Sequence, residues 1–255
     1  MKFVRVLPPI LLLMLAFAPS PAFAQAAAQP GITLDLTGGG QMTERLMQII
    51  GLITILSLAP SILIMMTCFT RIVVVLSLLR TAIGVQQSPP NSVIVSLALF
   101  LTFFVMAPTI AEINTTAMQP LIMEEITTEE ALTRAESPVK KFMAAHTSTA
   151  DLSLFVTMAQ AAPPETVEAA PLQALVPAFM LSELKRAFEI GFLLFVPFLI
   201  IDMAIASILM SMGMMMLPPI VISLPFKLIF FVLVDGWRLV AGSLVASYGG
   251  GPPTP

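Results

Sequence analysis

Charged side chains are missing from long stretches of this chain, and that absence decides which solvent it can fold in. No Asp, Glu, Lys or Arg occurs between Leu46 and Thr70. A bilayer core needs about 20 apolar residues in a helix, so this run is long enough to cross one. Val93 to Ala111 is a second run without charge. Phe192 to Met212 is a third, interrupted only by Asp202, and Ile220 to about Ala246 is a fourth that carries Lys227, Asp235 and Arg238. Over the whole chain 57% of residues are apolar and 11% charged, against about 45–50% and about 25% in soluble domains. An ordinary soluble enzyme and a disordered chain are excluded. With a formal charge of −3 there is no basic excess to meet nucleic-acid phosphates. The expectation is an all-α, polytopic membrane protein.

The first 24 residues read as a targeting segment. Lys2 and Arg5 precede a short apolar core through Ala18, and Ala22-Phe23-Ala24 supplies a small-x-small cleavage site. Cleavage after Ala24 is expected, because Pro8 and Pro9 interrupt the core and it is short for a membrane span. An uncleaved first helix is the other reading. Removal of Lys2 and Arg5 would leave a mature charge of −5. Residues 25–45 read as a flexible entry segment rich in Ala, Gly and Thr. Residues 249–255 (Gly-Gly-Gly-Pro-Pro-Thr-Pro) read as a disordered tail.

Residues 46–111 are expected to form a first helical hairpin. Its tip is Pro89-Pro90-Asn91, and Pro60 kinks its first arm. Residues 112–189 differ sharply, holding 11 of the 15 acidic residues. They read as a solvated, mostly helical insert, or more sharply as a partner surface. Thr127-x-x-Glu130 there resembles a helix capping box, and Pro177 is placed to open a helix that runs past Gly191 and on into the next apolar run. Residues 190–248 form a second hairpin, with Pro197 as a kink and Pro218-Pro219 at the tip. The two Pro-Pro tips hint at internal repetition, although 22 prolines could place them by chance. With the mature start outside, both tips face the cytoplasm, while insert and tail lie outside. Arg71 and Arg80 then obey the positive-inside tendency, and Lys185 and Arg186 do not.

No enzyme is indicated. Gly-x-Ser-x-Gly, His-Glu-x-x-His and a Gly-rich phosphate loop are all missing from the sequence. His146 is the only histidine and Cys68 the only cysteine, so neither a metal cluster nor an internal disulfide is expected, and no cofactor is implied. Charges within the apolar runs cost about 2.5–3.5 kcal/mol each on insertion scales. Asp202, Lys227, Asp235 and Arg238 must therefore pair, line a water-filled path, or meet other subunits. Asp235 and Arg238 are i,i+3 neighbours, as are Glu183 and Arg186. Met210, Met212, Met214, Met215 and Met216 fill five of seven positions, about tenfold above the chain average. Methionine re-packs readily. Several copies of this loop on one axis would make an apolar constriction that excludes water and ions by dewetting. Ordinary hydrophobic filling is the plainer reading of the same residues.

Two stretches, Pro177-Ala-Phe-Met-Leu-Ser-Glu-Leu-Lys-Arg-Ala-Phe-Glu-Ile-Gly-Phe192 and Pro225-Phe-Lys-Leu-Ile-Phe-Phe-Val-Leu-Val-Asp-Gly-Trp237, closely resemble signature segments of the FliP family of flagellar type III export-gate proteins. Injectisome (virulence) relatives share the pattern. The resemblance runs from Ala24 to about Tyr248. It implies a ring of about five copies, assembled with FliQ and FliR into a cone-shaped entry pore and associated with FlhB and FlhA. It implies an inner-membrane position in the flagellar basal body, with helices raised largely above the bilayer plane. It also implies that Met210, Met212, Met214, Met215 and Met216 form a gasket, and that the cargo is unfolded flagellar subunits. An injectisome (virulence) export-gate subunit, a small-solute secondary transporter and a purely structural scaffold are the alternatives left open.

Overall fold

The structure, a computed structural model, describes residues 46, 47, 49–54, 57, 61, 64–85, 88–214 and 216–249. The expected signal peptide with Ala22 and Ala24, segment 25–45, Pro60, Met215 and the tail beyond Gly249 lie outside the described residues. The chain divides into two units, Met1–Ser57 and Leu58–Pro255. The described residues of the first unit are helical.

The second unit is built from helices, with no strand among its described residues. They are α1 (Phe69–Ile83), α2 (Asn91–Ile113), a π-helical turn (Asn114–Met118), α3 (Gln119–Ile122), α4 (Thr128–His146), α5 (Thr149–Met158), a 3-10 turn (Val167–Ala169), α6 (Leu172–Ser211), α7 (Pro219–Leu233) and α8 (Gly236–Gly249). The first arm runs differently from the expected kinked span through Thr70. A turn occupies residues 66–68, and α1 begins at Phe69.

α1 is the most enclosed helix. Ile72, Val75, Leu76, Leu79, Ala82 and Ile83 recur at three- and four-residue steps and are all buried, which is the periodicity of one helical face. They pack against α6 and α2. Gly84 ends the helix at φ 92°, its N–H donating to Thr81 O at 3.0 Å. This left-handed stop is open to glycine at little cost. In α2 only a narrow stripe is buried, Ile94, Ala98, Thr102, Met106 and Thr109, while Phe100, Phe103 and Phe104 are each more than 60% exposed.

α6 organises the unit. It has 40 residues, about 60 Å at 1.5 Å per residue, and serves two cores. Its first half carries Ala174, Leu175, Ala178 and Phe179 against Met143 of α4 and Leu152 and Val156 of α5. Further on, Ala187 and Phe198 join the α1 and α2 core together with Phe231, Val240 and Leu244. The change from acidic insert to apolar span at 189/190 is therefore a change of chemistry along an unbroken helix. Pro171 precedes its first residue with extended backbone, so the helix opens at Leu172 and Pro177 falls inside it. At Gly191 a Cβ would collide with Leu78 Cδ1, so glycine permits the close approach of α1.

The fourth apolar run is broken. α7 and α8 meet at 61°, because Val234 leaves helical geometry and Asp235 takes φ 51°. A Cβ at Gly236 would collide with the Phe231 ring. Among the described residues, Asn91–Ile122 and Leu172–Ser211 are long and apolar enough to cross a membrane, with α7 and α8 a third if the bent pair is one span. The acidic insert is helical as expected, and Thr127 caps α4 by accepting the Glu130 N–H at 3.3 Å.

Candidate functional site

The methionine loop is where α6 stops. Gly213 adopts φ 72°. Its N–H donates to Met210 O at 3.1 Å, and the Met214 N–H donates to Leu209 O at 3.0 Å. Together these bonds form a Schellman stop, which closes the orphan carbonyls of a helix end and needs a left-handed residue at the position of Gly213. The first half of the loop is thus hydrogen-bonded backbone. The side chains behave otherwise. Met210, Met212 and Met214 are 60%, 58% and 43% exposed, and Met216 is 99% exposed. Within one chain they have little to pack against, so they do not serve as core filler.

Above the loop, α6, α7 and α1 meet at a buried charge. Lys227 is enclosed and donates to Asp202 Oδ2 at 2.6 Å and to Ala82 O at 3.5 Å. Ser223 donates its hydroxyl to Asp202 Oδ1 at 2.5 Å. This arrangement gives two of the costly intramembrane charges partners within the protomer.

Glu183 does not pair with Arg186, as their i,i+3 spacing suggested. Glu183 is fully buried and accepts from Arg71 Nη2 and from the Tyr248 hydroxyl. Arg71 also donates to Ser247 Oγ at 3.1 Å, and its guanidinium carbon lies 4.0 Å from the Tyr248 ring centroid. The physical reason is direction. Glu183 lies on the face of α6 that also buries Phe179 and Ala187, whereas Arg186 points outward and pairs with Glu189 at 3.2 Å. Asp235 and Arg238 approach to 3.9 Å but are 66% and 83% exposed. Asp235 stands at the helix break and not inside a helix.

Sequence reasoning passed over Arg71, Tyr248, Ser247 and Ser223. One signal was available for Arg71. It shares the buried stripe of Val75 and Leu79 at four-residue spacing, so an intrachain partner was required. Tyr248, the only tyrosine, carried no comparable pattern. No group of three or more His, Cys, Asp or Glu able to hold a metal occurs among the described residues.

Known proteins resemble this chain over most of its length. A profile of the FliP family matches residues 52–244, which include both helix α1 and the methionine loop. The chain is 61% identical over 225 residues to the flagellar biosynthetic protein FliP of Caulobacter vibrioides, covering 88% of this chain and 85% of that one. It is 59% identical over 197 residues to the protein of the same name from Bacillus subtilis, covering 77% and 89%. The corresponding protein of Aquifex aeolicus is 56% identical over 222 residues, covering 86% and 92%.

Proposed function

Because this chain belongs to the FliP family, we propose that it is a non-enzymatic core subunit of the flagellar type III export gate, in which several copies surround a conduit for unfolded flagellar subunits. The observation that carries the mechanism is the exposure of Met210, Met212, Met214 and Met216 around a hydrogen-bonded helix stop. The backbone stop fixes where the loop stands, and the thioether side chains are left free to re-pack. Burying a methionine is worth about 1.5–3 kcal/mol and has no directional requirement. A ring of such side chains, with Met215 among them, closes by mutual apolar contact and excludes water. It also yields to any polypeptide that offers comparable contact, then closes again.

The rest of the surface supports assembly. Phe100, Phe103, Phe104, Phe192 and Leu193 are largely exposed on one chain, and such apolar area calls for lipid or other subunits. In this reading the helical hairpins form a cone of about five copies with FliQ- and FliR-like subunits, joined by FlhB- and FlhA-like proteins. The assembly sits at the inner membrane in the basal body, with the mature N-terminus and acidic insert outside. Asp235 and Arg238, held by each other only at a distance, are available for contacts between subunits. Glu183, Asp202 and Lys227 are committed within the protomer.

The test replaces Met214, Met215 and Met216 together with Gly and measures ion leakage alongside secretion of flagellar subunits. Leakage is expected to rise while the complex still assembles. Unchanged permeability in an assembled complex would defeat the gasket.

A further inference from the structure

Two clefts outside the methionine loop meet on the surface of α6, and their chemistries are opposite. The first, about 480 Å³, is polar and bears Arg71, His146, Asp151, Lys185, Arg186 and Tyr248. The second, about 490 Å³, is mostly apolar and runs between Ile190, Leu193 and Leu194 of α6 and Leu239, Val240 and Leu244 of α8. Both volumes fall in the range of ligand pockets, roughly 300–1,000 Å³. Arg186, Glu189 and Ser247 line both, so the clefts are adjacent. The junction lies where α6 changes character. Glu189 is its last charged residue before Asp202, and the intervening stretch is apolar.

A polar chamber beside an apolar groove at that point has the form of an amphiphile with a compact head and a long chain. The signs of charge narrow the class. Lys185 and Arg186 supply cations, and Asp151 and Glu189 supply carboxylates beside them; Arg186 and Glu189 pair with each other at 3.2 Å, and because both are exposed that pair is cheap to exchange for a head group of both signs. Asp151 accepts the Ser182 hydroxyl at 2.6 Å and keeps its other oxygen. On the floor, nearly fully buried Arg71 retains one N–H, Nε, without a partner. A purely anionic head would meet the two carboxylates, and a purely cationic one the two cations. We propose that α6 and α8 hold one phospholipid with a zwitterionic phosphoethanolamine head, its phosphate at Lys185 and Arg186, its ammonium at Glu189 and Asp151, and one acyl chain in the groove. Side chains fix the head and the groove fixes the chain, so the lipid stays with the protein whether α6 lies in the bilayer or in a raised assembly.

The experiment is native mass spectrometry of the purified complex, re-lipidated with an equimolar mixture of phosphatidylethanolamine, phosphatidylglycerol and phosphatidylcholine. Phosphatidylethanolamine is expected to be retained about tenfold over the other two, the preference of about 1.4 kcal/mol that follows from tenfold in affinity. Phosphatidylcholine lacks the ammonium N–H donors, and phosphatidylglycerol lacks the cation. Ser243→Trp, at an exposed groove position, and the double variant Lys185→Glu/Arg186→Glu are each expected to reduce that retention to the level of the other lipids. Equal retention of all three lipids by wild type and variants, or a preference for phosphatidylglycerol, overturns the proposal. If a variant fails to assemble, the ranking of lipids on the wild-type complex decides alone. Secretion is not part of the readout, so this test is independent of the gasket.

Discussion

Breaking the Asp202–Lys227 pair from its two ends should have unequal consequences. Lys227 is 4% exposed, and Asp202 is 30% exposed. With Asp202→Ala, the ammonium stays enclosed with one 3.5 Å contact to Ala82 O and loses its only carboxylate. Leaving a buried charge without its partner costs about 3–5 kcal/mol. With Lys227→Met, the cation is replaced by an apolar chain of similar length that fits the same enclosure. The remaining carboxyl still accepts the Ser223 hydroxyl and reaches the edge of the protein. Being part-exposed, it keeps access to solvent, so the cost should be about 1–2 kcal/mol. The double variant contains neither charge. It should resemble Lys227→Met, so the interaction energy between the sites should approach the whole Asp202→Ala loss, about 3–5 kcal/mol. The assay is thermal and denaturant unfolding of the four proteins of the cycle in one detergent. Equal losses from the two single variants, or additive losses in the double variant, would refute the assignment of Lys227 as the trapped charge.

The buried Glu183 cluster gives a graded series. Tyr248→Phe removes one hydrogen bond to a carboxylate, worth about 1.5–3 kcal/mol, whereas Glu183→Ala strands Arg71 and should lower the unfolding midpoint further. At the α7–α8 break, Gly236→Ala drives a methyl group into the Phe231 ring. A loss of about 1–3 kcal/mol is expected, partly recovered by Phe231→Leu in the same background. Gly213→Val forces a branched residue into the left-handed region and should cost about 1–2 kcal/mol; proteolysis at residues 212–217 should accelerate. Charge reversal at Arg238 should change protomer stability by less than about 1 kcal/mol, because an exposed pair at this distance contributes little. Its effect should appear only in the size of the purified complex by gel filtration.

The all-helical fold was legible because apolar periodicity and length are local properties. The cap at Thr127 was legible too, because a capping box lies within four residues of sequence. The breaks were less so. Hydropathy carries no term for a left-handed residue, so the run from Ile220 to Ala246 looked continuous although Asp235 and Gly236 divide it. The continuity of α6 from Pro177 into the apolar span was legible, because no breaker separates the two; its true start at Leu172 was not, because Pro177 looked like a first-turn proline and instead lies inside the helix. Pairing across the fold was the least accessible. Glu183 has a cation three residues away at Arg186, yet its partner stands 112 residues away at Arg71. Only the buried stripe shared by Arg71, Val75 and Leu79 pointed there.

These pairings also separate two kinds of demand. The buried charges Arg71, Glu183 and Lys227 all find opposite partners within one chain, even at long sequence separation. Many apolar side chains do not. Met216, Phe100, Phe192 and Leu193 remain open. Polar groups in a low-dielectric interior are costly at every moment they are unpaired, so they must be satisfied as soon as the protomer folds. Apolar groups can wait in lipid until neighbours arrive. A chain that closes its charges internally and leaves its hydrophobic surface unclosed is fitted to fold first and assemble afterwards. The methionine loop obeys the same division: its backbone is tied off at Leu209 to Met214 within the protomer, and its thioether side chains are left exposed.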